Sequence, residues 1–284
     1  MKREYTCLIS SLPELIIDFD AKKFDFFSLR KEIEDSLHPN DYELVKILFL
    51  HYDNQNLLNT LLQKDFQFCK KANFTENELD EKIKSHHNIP KYMADFIKIF
   101  ENEKNEDYAA EILKIYERDK ENLLQTLFYN EMLQTKNNFI RQWFAFDRDL
   151  RNIQTAIVAR RLQIDASNYF VGQNAETFAK SAAADFGLGS EIDWINKIVQ
   201  IAEIADVYER ERKIDLFRWE KIDEISVYNY FDIDAVLSFM QKADIVERWI
   251  SLDKQTGKEM FKKLLNDLIN TCDTQKVFNK NNEK

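Results

Sequence analysis

The sequence predicts an all-α protein built from long helices, and three observations carry that expectation. First, its 284 residues include only 4 Gly and 3 Pro. A sheet protein of this size needs many tight turns, and tight turns consume both residues. Second, 44% of the residues are hydrophobic and 32% charged. That mixture suits amphipathic helices, apolar on one face and rich in Lys and Glu on the other, and it excludes a disordered chain. Third, Phe139, Trp143, Phe146, Leu150, Ile153 and Ile157 recur at spacings of 4, 3, 4, 3 and 4, the a/d seam of a single helix.

Taken in order, Tyr5 to Leu12 reads as a short helix or strand stopped at Pro13. A helix is expected from Ser28 to Leu37, ended by Pro39, with the next one capped by Asn40 or Asp41 and continuing, after a bend, through Leu57, Leu58, Leu61 and Leu62. Thr75-Glu76-Asn77-Glu78 is a capping box, where a Thr hydroxyl and a Glu carboxylate satisfy each other's backbone N–H groups, and it opens a polar helix ending near His86-His87-Asn88. From Lys91 to about Arg161 there is neither Gly nor Pro, so two or three long helices are expected. Beside the Phe139–Ile157 seam runs a second one, Ala145, Asp149, Asn152, Ala156 and Ala159, whose small residues admit another helix closely. Gly172 marks a break, as do Gly187 and Gly189. Ser190 to about Arg212 is expected as one helix with a seam of Trp194, Ile198, Ile201, Ala205 and Tyr208. Asp232 to Leu252 and Lys258 to Ile269 complete the set, before a polar tail from Asp273.

The composition narrows the function. A net charge of −10 disfavours nucleic-acid binding, which draws most of its affinity from neutralising phosphates. Lys70-Lys71 and Arg160-Arg161 are candidate basic patches, but such pairs are ordinarily solvated. Cys7, Cys69 and Cys272 are far apart and match no metal spacing, which suits reduced thiols in a cytosolic protein. No run reaches the ~18 to 20 apolar residues of a membrane span. A helical di-iron site needs two Glu-x-x-His pairs, and the nearest approach is Asp35 with His38. His86-His87 reads as a cationic helix end. Neither a phosphate-binding Gly-rich loop nor a G-x-S-x-G elbow occurs. The expectation is therefore a protein that binds other proteins, without cofactor or metal.

One pattern recurs: an acidic residue, an Asn three later and an apolar residue after it. It appears as Asp53, Asn56 and Leu57, with Lys64 beyond, and as Asp149, Asn152 and Ile153, with Arg160 beyond. The two copies lie 96 residues apart. A further 95 leads to Asp244, Glu247 and Arg248, where Glu stands for Asn. Units of this size would make three: 1–90, 91–187 and 188–272, followed by the tail 273–284. A spacing of three places carboxylate and amide on one helix face. Beside an apolar seam they are expected to bond backbone groups at the end of a neighbouring helix, a structural role. Another copy, Asp119 and Asn122, falls out of phase, and Asn122 is expected on a solvated face.

At these residues the sequence resembles the C-type family of V/A-type rotary ATPase subunits (d-type in eukaryotes), and most closely a divergent bacterial branch of it. Asp149, Asn152, Ile153 and Arg160 match its motif best. Asp53, Asn56 and Leu57 match with Lys64 for the usual Arg, and Asp244 with Glu247 departs at the Asn and at the apolar position. The resemblance implies three pseudo-repeated helical units in a funnel-like architecture. It also implies a non-catalytic subunit seating the central stalk on the membrane rotor ring, placed in the cytoplasm at the inner membrane and touching lipid only through its partners. The alternative reading is a stand-alone helical adaptor, and a helical metalloenzyme comes third.

Overall fold

A computed structural model describes residues 3–17, 24–102, 120–166, 169–172, 177–178, 181 and 183–252. Among these residues it holds ten helices and no strand: α1 (Thr6–Ser11), α2 (Phe26–Ser36), α3 (Pro39–Leu61), α4 (Glu76–Ser85), α5 (Lys91–Asn102), α6 (Lys120–Met132), α7 (Asn138–Leu162), α8 (Ile195–Ala202), α9 (Val207–Ser226) and α10 (Ile233–Ser251). The all-α expectation holds. The helix expected at Lys258–Ile269 and the tail lie outside the described residues.

Polar side chains set most of the helix starts. Asp25 accepts from the N–H groups of Phe27 and Ser28 to open α2. The capping box at Thr75 forms as expected, with Thr75 N–H donating to the Glu78 carboxylate at 2.8 Å. Asn137 opens α7 by accepting from Ile140 N–H at 2.8 Å, and Asp232 opens α10. The cap of α3 is neither Asn40 nor Asp41 but His38, whose Nδ1 accepts from Asn40 N–H at 3.2 Å. The cause is Pro39: with no N–H and a fixed φ it fits the first helical position, which moves the cap to the residue before it, two earlier than Asn40. From there α3 runs through Leu61 as one continuous helix.

The seam of α7 is buried as expected at Phe139, Trp143, Phe146, Leu150 and Ile153, with Ile157 packed partly buried at its edge. The single helix expected from Ser190 to Arg212 is not present. It divides into α8 and α9, because Asp206 accepts from Glu209 N–H at 2.8 Å and caps a new helix. Ala205 and Tyr208, expected in a seam, are exposed.

The core is continuous, reaching from Leu8 to Ile245. At its centre α3, α7 and α10, the three helices that carry the repeated motif, pack against one another. Around them α6 lies on α3 and α7, α9 on α7 and α10, and α2 on α10. After α7 the chain turns at Gly172, where φ is +86° and a Cβ would meet the Arg148 Cδ at 3.1 Å.

A twice-built backbone grip and a charged junction

Asn56 sits in the last quarter of α3 with its side chain turned inward, 0% exposed. Its Oδ1 accepts from Cys69 N–H at 2.9 Å, and its Nδ2 donates to the Cys69 carbonyl at 3.1 Å. Asn152 on α7 repeats the arrangement on Val171. Oδ1 accepts from Val171 N–H at 3.0 Å, and Nδ2 donates to the Val171 carbonyl at 2.7 Å. A primary amide carries an acceptor oxygen and a donor nitrogen side by side whatever the pH, so it can hold both backbone groups of one residue. Leu57 and Ile153, next in each motif, are wholly buried in the core.

The acidic members differ. Asp53, 1% exposed, accepts from the N–H groups of Asn73 and Phe74 and from Asn73 Nδ2 at 2.6 Å. These groups stand just before the Thr75 cap, so Asp53 fixes the approach to α4. Burial pushes its carboxyl up to about 6 against the pull of those N–H groups. Asp149 pairs instead with its neighbour Arg148, at 2.8 Å, and burial raises its pKa. The grips hold loop residues rather than the helix ends that the spacing led one to expect, and only Asp53 lies near such an end.

The loop after α7 is held at three consecutive carbonyls. Arg151 donates to Tyr169 O at 3.1 Å, Asn122 to Phe170 O at 3.5 Å, and Asn152 to Val171 O. Asn122 is therefore not on a solvated face: it is buried, and it joins the same task from α6. Arg160 extends the pattern, donating to the carbonyls of Ser181 and Ala183 while its guanidinium lies over the Phe186 ring.

The third copy behaves otherwise. Asp244 accepts from Tyr52 O–H at 2.9 Å and from Lys71 Nζ at 2.7 Å, tying α10 to α3 and to the gripped loop. Glu247 is half-buried, and burial raises its pKa.

Where the three motif helices meet, a cavity of about 320 Å³ opens. His51, Tyr52, Asp147, Arg151, Asp215, Arg218, Gln241, Asp244 and Arg248 line it, with Phe128, Tyr129, Trp143 and Phe144. Asp215 is 1% exposed and accepts from Arg218, Arg248 and the Trp249 indole, at 3.1, 2.9 and 3.0 Å. Asp147 accepts from Tyr129 O–H at 2.7 Å and lies 3.8 Å from Arg218. Burial opposes the charge on Arg218, yet Asp147 and Asp215 hold its pKa above the ordinary value. Burial lowers the pKa of His51, whose Nδ1 lies 3.0 Å from Leu48 O. Each carboxylate here already faces a cation or a phenol, so the arrangement is chemically a set of ties between helices. No cluster of three or more His, Cys, Asp or Glu among the described residues is placed to hold a metal ion.

Of the motif residues, Asp53, Asn56, Asp149, Asn152 and Arg160 bond loop or neighbouring groups, and Asp244 and Arg248 of the third copy reach the junction. Sequence reasoning missed Asp147, Asp215 and Arg218, and it met Arg248 only as the last residue of the third copy. The available signal was Asp215 and Arg218 set between the core positions Ile214, Phe217 and Ile222, three apart on one face.

Comparison with known proteins returns a family model described as Protein of unknown function (DUF2764), which matches residues 1–272. No curated protein and no solved structure matches.

Proposed function

We propose that this chain, which belongs to the DUF2764 family, is a non-catalytic coupling subunit of a V/A-type rotary ATPase, linking the central stalk to the membrane rotor ring. The observation that carries the reading is the recurrence of one device on successive units. Asn56 and Asn152, 96 residues apart, each hold a following loop residue by N–H and C=O, and the third motif helix packs against the first two. A helix-plus-gripped-loop unit used repeatedly along one chain agrees with the resemblance to the C-type family, whose motif these residues match. The division into units 1–90, 91–187 and 188–272 belongs to the same proposal.

No helix among the described residues is long and apolar enough to cross a membrane, so contact with the bilayer runs through the ring in this reading. The test is purification of the tagged full chain from native membranes under mild detergent. Rotor-ring and central-stalk proteins are expected to co-purify in constant ratio. Repeated preparations that lack them would sink the proposal, and consistent recovery with unrelated proteins would make the chain a stand-alone adaptor.

A further inference from the structure

The turn between α9 and α10 reads Val227-Tyr228-Asn229-Tyr230-Phe231. Tyr228 is 87% exposed, Tyr230 68%, Val227 52% and Phe231 45%. Single exposed apolar residues are ordinary, but four in one five-residue turn form a patch of the kind that marks an interaction site.

The turn is also tightly held. Asn229 N–H donates to Ser226 O at 2.8 Å, and Asn229 Nδ2 donates to Asp232 at 2.8 Å. Asp234, 2% exposed, accepts from both Asn229 and Asn137, the cap of α7. On the other side Phe231 O accepts from Tyr5 N–H at 2.6 Å. A turn fixed from α1, α7 and α10 presents its aromatic rings with little freedom left to lose, which is what an anchor at an interface requires.

Through Tyr5 the turn adjoins an open groove of about 580 Å³, lined by Glu4, Tyr5, Thr6, Cys7, Glu32 and Ser36 among others. Neither Glu4 nor Glu32 has an ion pair among the described residues, and beside them Lys31 is shared between Glu34 and Asp35. The groove is net acidic.

We infer that the α9–α10 turn and this groove form a docking surface for a basic amphipathic segment of another protein. Its apolar side chains pack on Tyr228 and Tyr230, and its Lys or Arg side chains enter the groove toward Glu4 and Glu32. A tyrosine face also attracts such cations. Glu4 and Glu32, without an ion pair among the described residues, repel the phosphates of an anionic bilayer. A second copy of this chain carries a net charge of −10 and offers that groove no cationic complement of its own. The inference stands independently of the rotary ATPase proposal.

A benzophenone amino acid at position 228 of the full chain, irradiated in the cells that make it, tests this. The expected adduct maps to one protein segment in which Lys or Arg alternates with apolar residues. The synthetic peptide of that segment should bind the purified chain with an affinity that falls as salt rises. Binding should weaken about tenfold or more in Tyr230→Ser and in the Glu4→Lys/Glu32→Lys double variant, with melting temperatures unchanged. An adduct to lipid, to a second copy of the chain or to a segment without cations overturns the inference. So does the absence of any adduct, or peptide binding indifferent to the charge reversal.

Discussion

Asn152→Ala puts the backbone grip to its most direct test. Asn152 and Val171 are each 1% exposed, so water cannot replace either hydrogen bond when the amide is removed. A buried backbone group left without a partner costs ~1 to 3 kcal/mol, and the variant strands two of them, an N–H and a C=O, giving a loss of ~2 to 5 kcal/mol. In a domain of this size each kcal/mol moves the melting temperature by ~2 °C or somewhat more, so a fall of roughly 5 to 10 °C is expected. Asn152→Asp sharpens the test. It keeps an acceptor for Val171 N–H but aims a second oxygen at the Val171 carbonyl, now 2.7 Å from a donor. At neutral pH it should be at least as unstable as Asn152→Ala. On acidification the protonated carboxyl regains a donor, and the two variants should separate in favour of Asn152→Asp. Gln142→Ala, exposed on the same helix, is the control. Calorimetry placing Asn152→Ala within about 1 °C of Gln142→Ala, the scatter of ordinary surface changes, would refute the reasoning.

Asn56→Ala should cost less, ~1 to 2 kcal/mol, because Cys69 is only partly buried and water can take over its freed groups; thermal denaturation beside Asn152→Ala checks the order. Asp215→Ala leaves Arg218 and Arg248 facing each other without the carboxylate between them, and a loss of ~3 to 5 kcal/mol in urea denaturation is expected of a broken buried pair; a loss under about 1 kcal/mol would contradict the network. Asp53 gives a pH signature. Its folded pKa of about 6 lies above the 3.8 of the free side chain, so the folded state holds the proton more tightly, and the stability this contributes is complete below pH ~4 and lost as pH rises through 6. The advantage of the parent over Asp53→Asn should therefore shrink by roughly 2 kcal/mol between pH 4 and pH 7, and a constant difference across that window would dismiss the shift.

The helices were legible where a local rule acts alone. The capping box at Thr75 and the seam from Phe139 to Ile153 require only neighbours along the chain, and both stand where the spacing put them. The misplacements arise where two local rules compete. Trp194 to Tyr208 keeps a helical rhythm, but Asp206 accepts Glu209 N–H and restarts the helix, so the rhythm of the last residues is incidental. Pro39 likewise outranked Asn40 and Asp41 by fixing the first helical position. For the site, the i, i+3 spacing identified Asp53, Asn56 and Asn152 as inward-facing, but not their partners. Cys69 lies 13 residues from Asn56, and Val171 lies 19 from Asn152, in segments with no pattern of their own. Asn122 could not be told from a surface residue, because the carbonyl its amide bonds, that of Phe170, lies 48 residues away.

The divergence of the third motif has a chemical reason. Asn56 and Asn152 succeed as grips because an amide gives and receives at once, matching the N–H and C=O of one residue. Glu247 stands in that place on α10, and an ionised carboxylate only accepts. It can take an N–H but offers nothing to the neighbouring carbonyl, and it is longer by one methylene, so the same two-point hold is closed to it. The acidic member of the copy is correspondingly redirected. Where Asp53 serves the loop before α4, Asp244 accepts from Tyr52 and Lys71, and Lys71 belongs to the very loop that Asn56 and Arg30 hold, its own carbonyl bonded to Arg30 at 2.7 Å. The first grip thus positions the cation that α10 requires. Loosening Asn56 is transmitted to the α3–α10 contact, while loosening Asn152 acts on the loop after α7, because no side chain of Tyr169, Phe170 or Val171 supplies a cation to the junction.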